Sequence, residues 1–190
     1  MNNRDFDKVI DRRNTESYKW YGDNHGLDDG QVIPMWVADM DFRCAQPIID
    51  AVVKRAEHGI YGYPTRSKDH TQCIISWQKT RFGSEPKAEW ISYAPPGVMF
   101  AVYIMLEKLT EKGDKVLLLM PNYDPLFEMI PKSGRVLVES QLVISPEGKV
   151  SIDFEDLEAK MKEGGIKIMT ISNPHNPSGR VWTREELSRI

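Results

Sequence analysis

Long apolar runs are missing from this 190-residue chain, and so is any large excess of one charge. No stretch approaches the roughly 18 apolar residues of a membrane span, so no membrane partner is expected. The formal net charge is −3 and no basic cluster occurs, which argues against a nucleic-acid partner. Cysteine is scarce. Cys44 and Cys73 stand alone, without metal-ligand spacing or a disulfide pattern, and read as reduced thiols of a cytoplasmic protein. The Asn/Arg/Asp-rich start does not resemble a signal peptide. No internal repeat or low-complexity linker is visible, and no Gly-x-Gly-x-x-Gly follows a strand, which weakens a nucleotide-binding reading. With 41% hydrophobic and 28% charged residues, the chain has a globular composition and the length for one large domain with a core.

Organisation changes along the chain. The charged opening Asp5–Arg13, the polar stretch Gly22–Gly30 and the apolar run Ile33–Ala38 do not form a regular unit, and residues 1–46 read as an N-terminal arm or part of a small domain. Residues 47–190 read as the first part of a large domain. Ile48, Ile49, Val52, Val53 and Ala56 recur at helical spacing, with Pro47 in the first turn and Gly59 at the end. A second helix is expected over Ser67–Arg81, closed by Gly83. Trp90–Tyr93 reads as a short strand, Val98–Leu109 as an apolar helix and Lys115–Met120 as a strand. A helix at Asp124–Lys132 and an alternating strand at Arg135–Glu139 follow. Asp153 can cap a helix at Phe154–Lys162 that Gly164 and Gly165 stop. Ile166–Ile171 reads as a strand buried on both faces, and Thr183 with Glu186 forms a capping box for a last helix. Strands alternating with helices predict an α/β fold, a mostly parallel sheet flanked by helices.

Three strand ends carry residues of chemical interest. After Ile166–Ile171 comes Ser172-Asn173-Pro174-His175-Asn176-Pro177-Ser178-Gly179, in which each proline ends ladder pairing. That leaves Asn173, His175 and Asn176 at the carboxyl end of a strand, where open α/β sheets place ligands. At Pro95-Pro96-Gly97-Val98-Met99, a strand-to-helix break offers backbone N–H groups and a helix dipole to an anion, or is a simple turn. Tyr123 follows the strand Lys115–Met120 and either seals the core or presents a ring face to a planar ligand. A phosphate nest, an aromatic platform and an amide together fit one flat phosphorylated cofactor, and pyridoxal 5′-phosphate (PLP) has that shape. Elsewhere, Asp39 and Asp41 read as a solvated turn in preference to a metal pair.

Together these loops resemble fold-type I PLP enzymes, the class I/II aminotransferase superfamily. The Asn-Pro-x-Gly loop carries the likeness first. Trp36-Val37-Ala38-Asp39-Met40-Asp41-Phe42, His58-Gly59-Ile60-Tyr61-Gly62-Tyr63-Pro64, Phe6-Asp7, Ile10-Asp11-Arg12, Lys19-Trp20 and Gly179-Arg180-Val181-Trp182 extend it over essentially the whole chain. They point to the C–S lyase (cystathionine β-lyase) subgroup that includes the maltose-regulon modulator. The resemblance implies that backbone N–H groups of Gly97, Val98 and Met99 cradle the cofactor phosphate, without the hydroxyl residue most of the superfamily has in that loop. It implies that Tyr123 stacks on the pyridine ring and that Asn176 donates to the ring O3′. Tyr63, with Tyr61 as the second choice, would reach the phosphate of a partner's cofactor across a homodimer. Ala38 and Asp39 would lie beside the amino-acid end of the substrate.

In the family, the Schiff-base lysine, the carboxylate facing the pyridine nitrogen, a further cofactor tyrosine and the substrate-carboxylate arginine all follow the Asn-Pro-x-Gly loop. They are expected beyond Ile190, so the large domain is expected to be incomplete here and the 190 residues to lack turnover alone. The function implied is cleavage of the Cβ–S bond of cystathionine or cysteine-type amino acids, giving thiol, ammonia and pyruvate. Transamination on the same scaffold, and a non-catalytic binding or regulatory fragment, are the alternatives.

Overall fold

Charge, more than apolar packing, organises the first of the two units into which the chain divides, Met1–His70. The computed structural model describes residues 6–21 and 33–190, so the polar stretch at Gly22–Gly30 lies outside the described residues. A single helical turn, α1 (Tyr18–Tyr21), precedes α2 (Gln46–Glu57). Pro47 sits in the first turn of α2, where its missing N–H costs nothing. Past the helix end, Gly59 takes a φ of 70° and donates its N–H to the Ala56 carbonyl at 3.1 Å. No side chain of α2 is buried, and Ile48, Val52 and Val53 are exposed. The next helix, α3 (Lys68–Phe82), runs across the division between the units and is closed by Gly83 at φ 65°.

The second unit, Thr71–Ile190, contains the sheet. A 3-10 turn at Ala88–Trp90 leads into α4 (Val98–Leu109). The strand expected at Trp90–Tyr93 is not present. Ile91 is extended, but Trp90 closes the 3-10 turn and no ladder partner lies beside the segment among the described residues. Then come β1 (Lys115–Met120), α5 (Asp124–Lys132), β2 (Val136–Ile144), β3 (Val150–Ile152), α6 (Phe154–Lys162), β4 (Ile166–Thr170) and α7 (Arg184–Arg189). The sheet order is β3-β2-β1-β4. Both neighbours of β1 are parallel to it, and only β3 is antiparallel, to β2.

The four buried residues of β1 alternate between the faces of the sheet, as the strand repeat of two requires. Val116 and Leu118 pack with Leu106, Leu126 and Ile130 beneath α4 and α5. Leu117 and Leu119 pack with Leu142, Ile152, Leu157 and Trp182 on the α6 side. The sequence periodicity therefore yields a mostly parallel sheet with a helix layer on each face. Asp153 caps α6 by accepting from the N–H groups of Glu155 and Asp156, and Thr183 and Glu186 make the reciprocal box of α7.

Two strands differ from expectation. β2 runs on to Ile144 because β3 returns antiparallel through the turn at Gly148 and extends the ladder. β4 is half-buried rather than buried on both faces, since among the described residues it borders β1 on one side only and Lys167 is exposed. Among the described residues, no helix is long and apolar enough to cross a membrane.

Candidate functional site

The carboxyl ends of β1 and β4 and the N-terminus of α4 open onto one cleft of about 630 Å³ within the second unit. Parallel neighbours point their carboxyl ends the same way, so loops following both strands meet at one rim. Gly97 to Phe100 form one wall, Tyr123 another, and Thr170, Ile171, Ser172 and Asn176 a third. Five of the residues singled out from sequence, Gly97, Val98, Met99, Tyr123 and Asn176, are thereby brought together.

Each wall follows from local sequence. Gly97 heads α4 with φ 157° and ψ −169° and provides no side-chain cap. The first-turn N–H groups of Val98, Met99 and Phe100 consequently lack intrahelical acceptors, which is the usual setting for an anion. A Cβ on Gly97 would meet no atom within 4 Å, so the wall beside these N–H groups is open. Tyr123 is the N-cap of α5 and stays half-exposed at the cleft. Its backbone is pinned from below: the buried Asn122 donates from Nδ2 to the Leu119 carbonyl at 3.0 Å and accepts the Tyr123 N–H at 2.8 Å. Asn176 is exposed, and its amide has no hydrogen-bond partner among the described residues.

The loop carrying Asn176 is tightly tied. The His175 N–H donates to the Arg180 carbonyl and the Gly179 N–H to the His175 carbonyl, both at 2.7 Å. Trp182 donates its backbone N–H to Asn173 Oδ1 at 3.1 Å and its indole N–H to the Ser172 carbonyl at 2.9 Å. His175, expected at the strand end beside Asn176, is not in the cleft. It is 1% exposed, with its ring against Trp182. Burial pushes its pKa below the ordinary value, opposed by the nearby Leu119 carbonyl.

The residues expected at the substrate and dimer side belong to the first unit. Asp39 and Asp41 are neither a metal pair nor a solvated turn. Arg12 grips the Asp39 carboxylate through two bonds of 2.6 and 2.8 Å and reaches Asp41 at 2.8 Å. Lys19, buried, donates to the Asp39 carbonyl at 2.8 Å and to Asp41 at 2.6 Å, and the Trp20 indole adds a bond to Asp41 at 3.2 Å. The Arg12 bonds hold the Asp39 carboxyl below its usual range. The Lys19 bond is the chief reason Asp41 falls to about 2. Among the described residues, no group of acidic, cysteine or histidine side chains could hold a metal ion. Arg12 and Lys19 lie in segments that carry the family likeness, but nothing in their spacing reveals the ion cluster.

Tyr61 and Tyr63 separate clearly. The Tyr61 hydroxyl donates to the Ala56 carbonyl at 2.7 Å, whereas Tyr63 is fully exposed with no hydrogen-bond partner among the described residues. Ala38, on the chain between the ion-held Asp39 and Trp36, is exposed.

Comparison with known proteins adds an independent line. The family model for aminotransferase class I and II matches residues 52–190. The chain is 39% identical over 187 residues to the cystathionine beta-lyase PatB of Bacillus subtilis (strain 168), covering 97% of this chain and 47% of that protein. It is 32% identical over 186 residues to protein MalY of Escherichia coli (strain K12), covering 96% and 47%. The solved PLP-bound C–S lyase from Staphylococcus hominis superposes with a TM-score of 0.86 at 32% identity, over 98% of this chain and 47% of that one. The chain thus spans about half the length of the relatives it matches.

Proposed function

The chain belongs to the class I and II aminotransferase family, and from that premise we propose that it forms the cofactor-cradling part of a PLP-dependent C–S β-lyase. The substrates are cystathionine or related cysteine-type amino acids, and the active form is a homodimer. Residues 1–46 serve as the arm and 47–190 as the first part of the PLP-binding large domain. The observation that carries this reading is the convergence of Gly97–Met99, Tyr123 and Asn176 on one cleft at parallel strand ends.

The cleft has the chemistry the cofactor asks for. Its unpaired first-turn N–H groups suit a phosphate, its tyrosine face suits a pyridine ring, and its free amide suits a phenolate oxygen. Bound PLP supplies an electron sink for the pair left at Cα when its proton departs. The chain's own residues do the holding. Val98 and Met99 bind the phosphate by backbone N–H groups, Gly97 allows its close approach, and Tyr123 and Asn176 fix the ring from its face and its edge. Tyr63 would reach the phosphate of the partner subunit's cofactor, and its free hydroxyl favours it over the engaged Tyr61. Ala38 and Asp39 would border the amino-acid end, with Arg12 holding the Asp39 carboxylate in place.

The net reaction breaks the Cβ–S bond, the sulfur leaves as a thiol, and water completes the conversion of the remainder to pyruvate and ammonia. Transamination draws on the same five cleft residues, and the description of the matching family keeps it as the second reading. The full-length polypeptide, given cystathionine, should release pyruvate and thiol in equal amounts. Exchange of amino and keto acids without pyruvate would establish transamination instead. Residues 1–190 alone should give neither product.

A further inference from the structure

His175 is a buried nitrogen base with no role in the reading above. Its Nδ1 lies 2.8 Å from Ser178 Oγ, and its Nε2 has no hydrogen-bond partner among the described residues. A buried nitrogen left unpaired is costly, and an aliphatic residue would fill the same space without that cost. The reason for an imidazole lies in its neighbours. The Leu119 carbonyl at the end of β1 lies close enough to the ring to favour its protonated form, and burial nonetheless lowers its pKa. A neutral ring has one donor and one acceptor. Ser178 engages Nδ1, and Nε2 is the ring nitrogen left without a hydrogen-bond partner of its own among the described residues.

The same Leu119 carbonyl accepts from Asn122, whose Oδ1 holds the Tyr123 N–H. His175 immediately precedes Asn176, and both of its backbone groups are tied within the loop. One carbonyl thus stands behind both of the side chains read as gripping the cofactor ring. We propose that His175 and Asn122 are positioning residues, meeting at the Leu119 carbonyl, that together set the separation of Asn176 from Tyr123 across the cleft. The inference rests on the proposed role of Asn176 as a cofactor contact.

The test uses the full-length apoprotein titrated with pyridoxamine 5′-phosphate, whose amine forms no covalent link to lysine, with binding read by tryptophan fluorescence. His175→Phe keeps a ring against Trp182 but removes both nitrogens. It should weaken binding about tenfold, in line with the loss of outer-layer supports elsewhere. Competition by inorganic phosphate, held at α4, should stay within about twofold, because the phosphate wall does not touch this layer. His175→Gln, which keeps a donor, should recover most of the loss. Ser178→Ala, at an exposed position that tolerates change, should weaken binding about threefold and carries the test if His175→Phe does not fold. A loss of melting temperature alone, with ligand affinity and phosphate competition unchanged in both variants while Asn176→Ala weakens binding, would overturn the inference and leave the cofactor reading standing. Asn176→Ala binding like the parent would overturn both.

Discussion

In the second unit, β1 alternates four fully buried aliphatic side chains between two helix-covered faces; in the first, the twelve-residue α2 buries none. What orders the first unit is a cluster of charges, Arg12 and Lys19 against Asp39 and Asp41. The contrast has a physical consequence. Apolar burial is proportional to area and indifferent to pH, so the sheet unit has the means to hold its cleft rigid alone. Ion pairs are directional and pH-dependent, and they fix a segment's conformation while leaving its apolar residues outside. Met35, Met40, Ile60 and Tyr63 are all exposed. The first unit is shaped by charge, and these apolar side chains stay exposed.

The largest break in that contrast should come from the sheet. Leu117→Ala removes a fully buried side chain from the α6-side core and should cost about 2–5 kcal/mol, read as a shift of the urea midpoint. A loss below about 1 kcal/mol would mean that the core is loosely packed and the contrast overstated. Next in size, Asn176→Ala in the full-length protein removes a bond to a charged oxygen and should weaken cofactor binding by about 1.5–3 kcal/mol, or roughly ten- to a hundredfold. Equilibrium dialysis against PLP measures it. Unchanged stability alongside that loss would separate the role of the cleft from that of the core.

The sheet unit was legible in sequence because burial and periodicity coincide there. Val98–Leu109, Lys115–Met120, Asp124–Lys132 and Phe154–Lys162 were each bounded by a proline, glycine or capping side chain that acts locally. The cleft was legible for the same reason, since strand ends are where such loops converge. The misses share another cause. β3 exists only because it pairs with β2, and the extended segment after Trp90 has no described strand to pair with, so both depend on partners distant in sequence. The Arg12–Asp39 contact spans 27 residues, and the burial of His175 depends on Trp182 packing over it. Chain-local reasoning sees the residue types in these cases but not the pairing.

Lys19→Met probes the ion-held unit directly. It leaves the Asp39 carbonyl and one Asp41 oxygen without their donor and should cost about 1–3 kcal/mol locally, visible as faster proteolysis around residues 33–45. The pH dependence follows from Asp41. Its folded pKa lies below the ordinary carboxylate value near ~3.9, so its pairing contributes fully above that pH and is lost as the pH falls through about 2. Protease sensitivity of the segment should therefore be flat from pH 8 to about 5 and climb only on further acidification. In Lys19→Met the climb should begin at a higher pH. Sensitivity that changes between pH 6 and 8 would point to a different group and break the assignment.

The smallest effect sharpens the comparison most. Val52 lies in the middle of α2 and is 64% exposed. If that face is open in the monomer, Val52→Ser removes little buried area and should change stability by no more than about 0.5 kcal/mol, mostly through helix propensity. A subunit partner would alter this outcome, because burying an apolar side chain at an interface is worth roughly 1.5–3 kcal/mol and depends on protein concentration. Measuring the substitution at low and at tens-of-micromolar concentration distinguishes the cases, with light scattering giving the oligomeric state in parallel. A cost that stays near zero throughout, in a clean monomer, would remove α2 from any subunit contact and count against the homodimer. A cost that grows with concentration would identify α2 as part of the surface that the arm and its exposed aromatics leave uncovered.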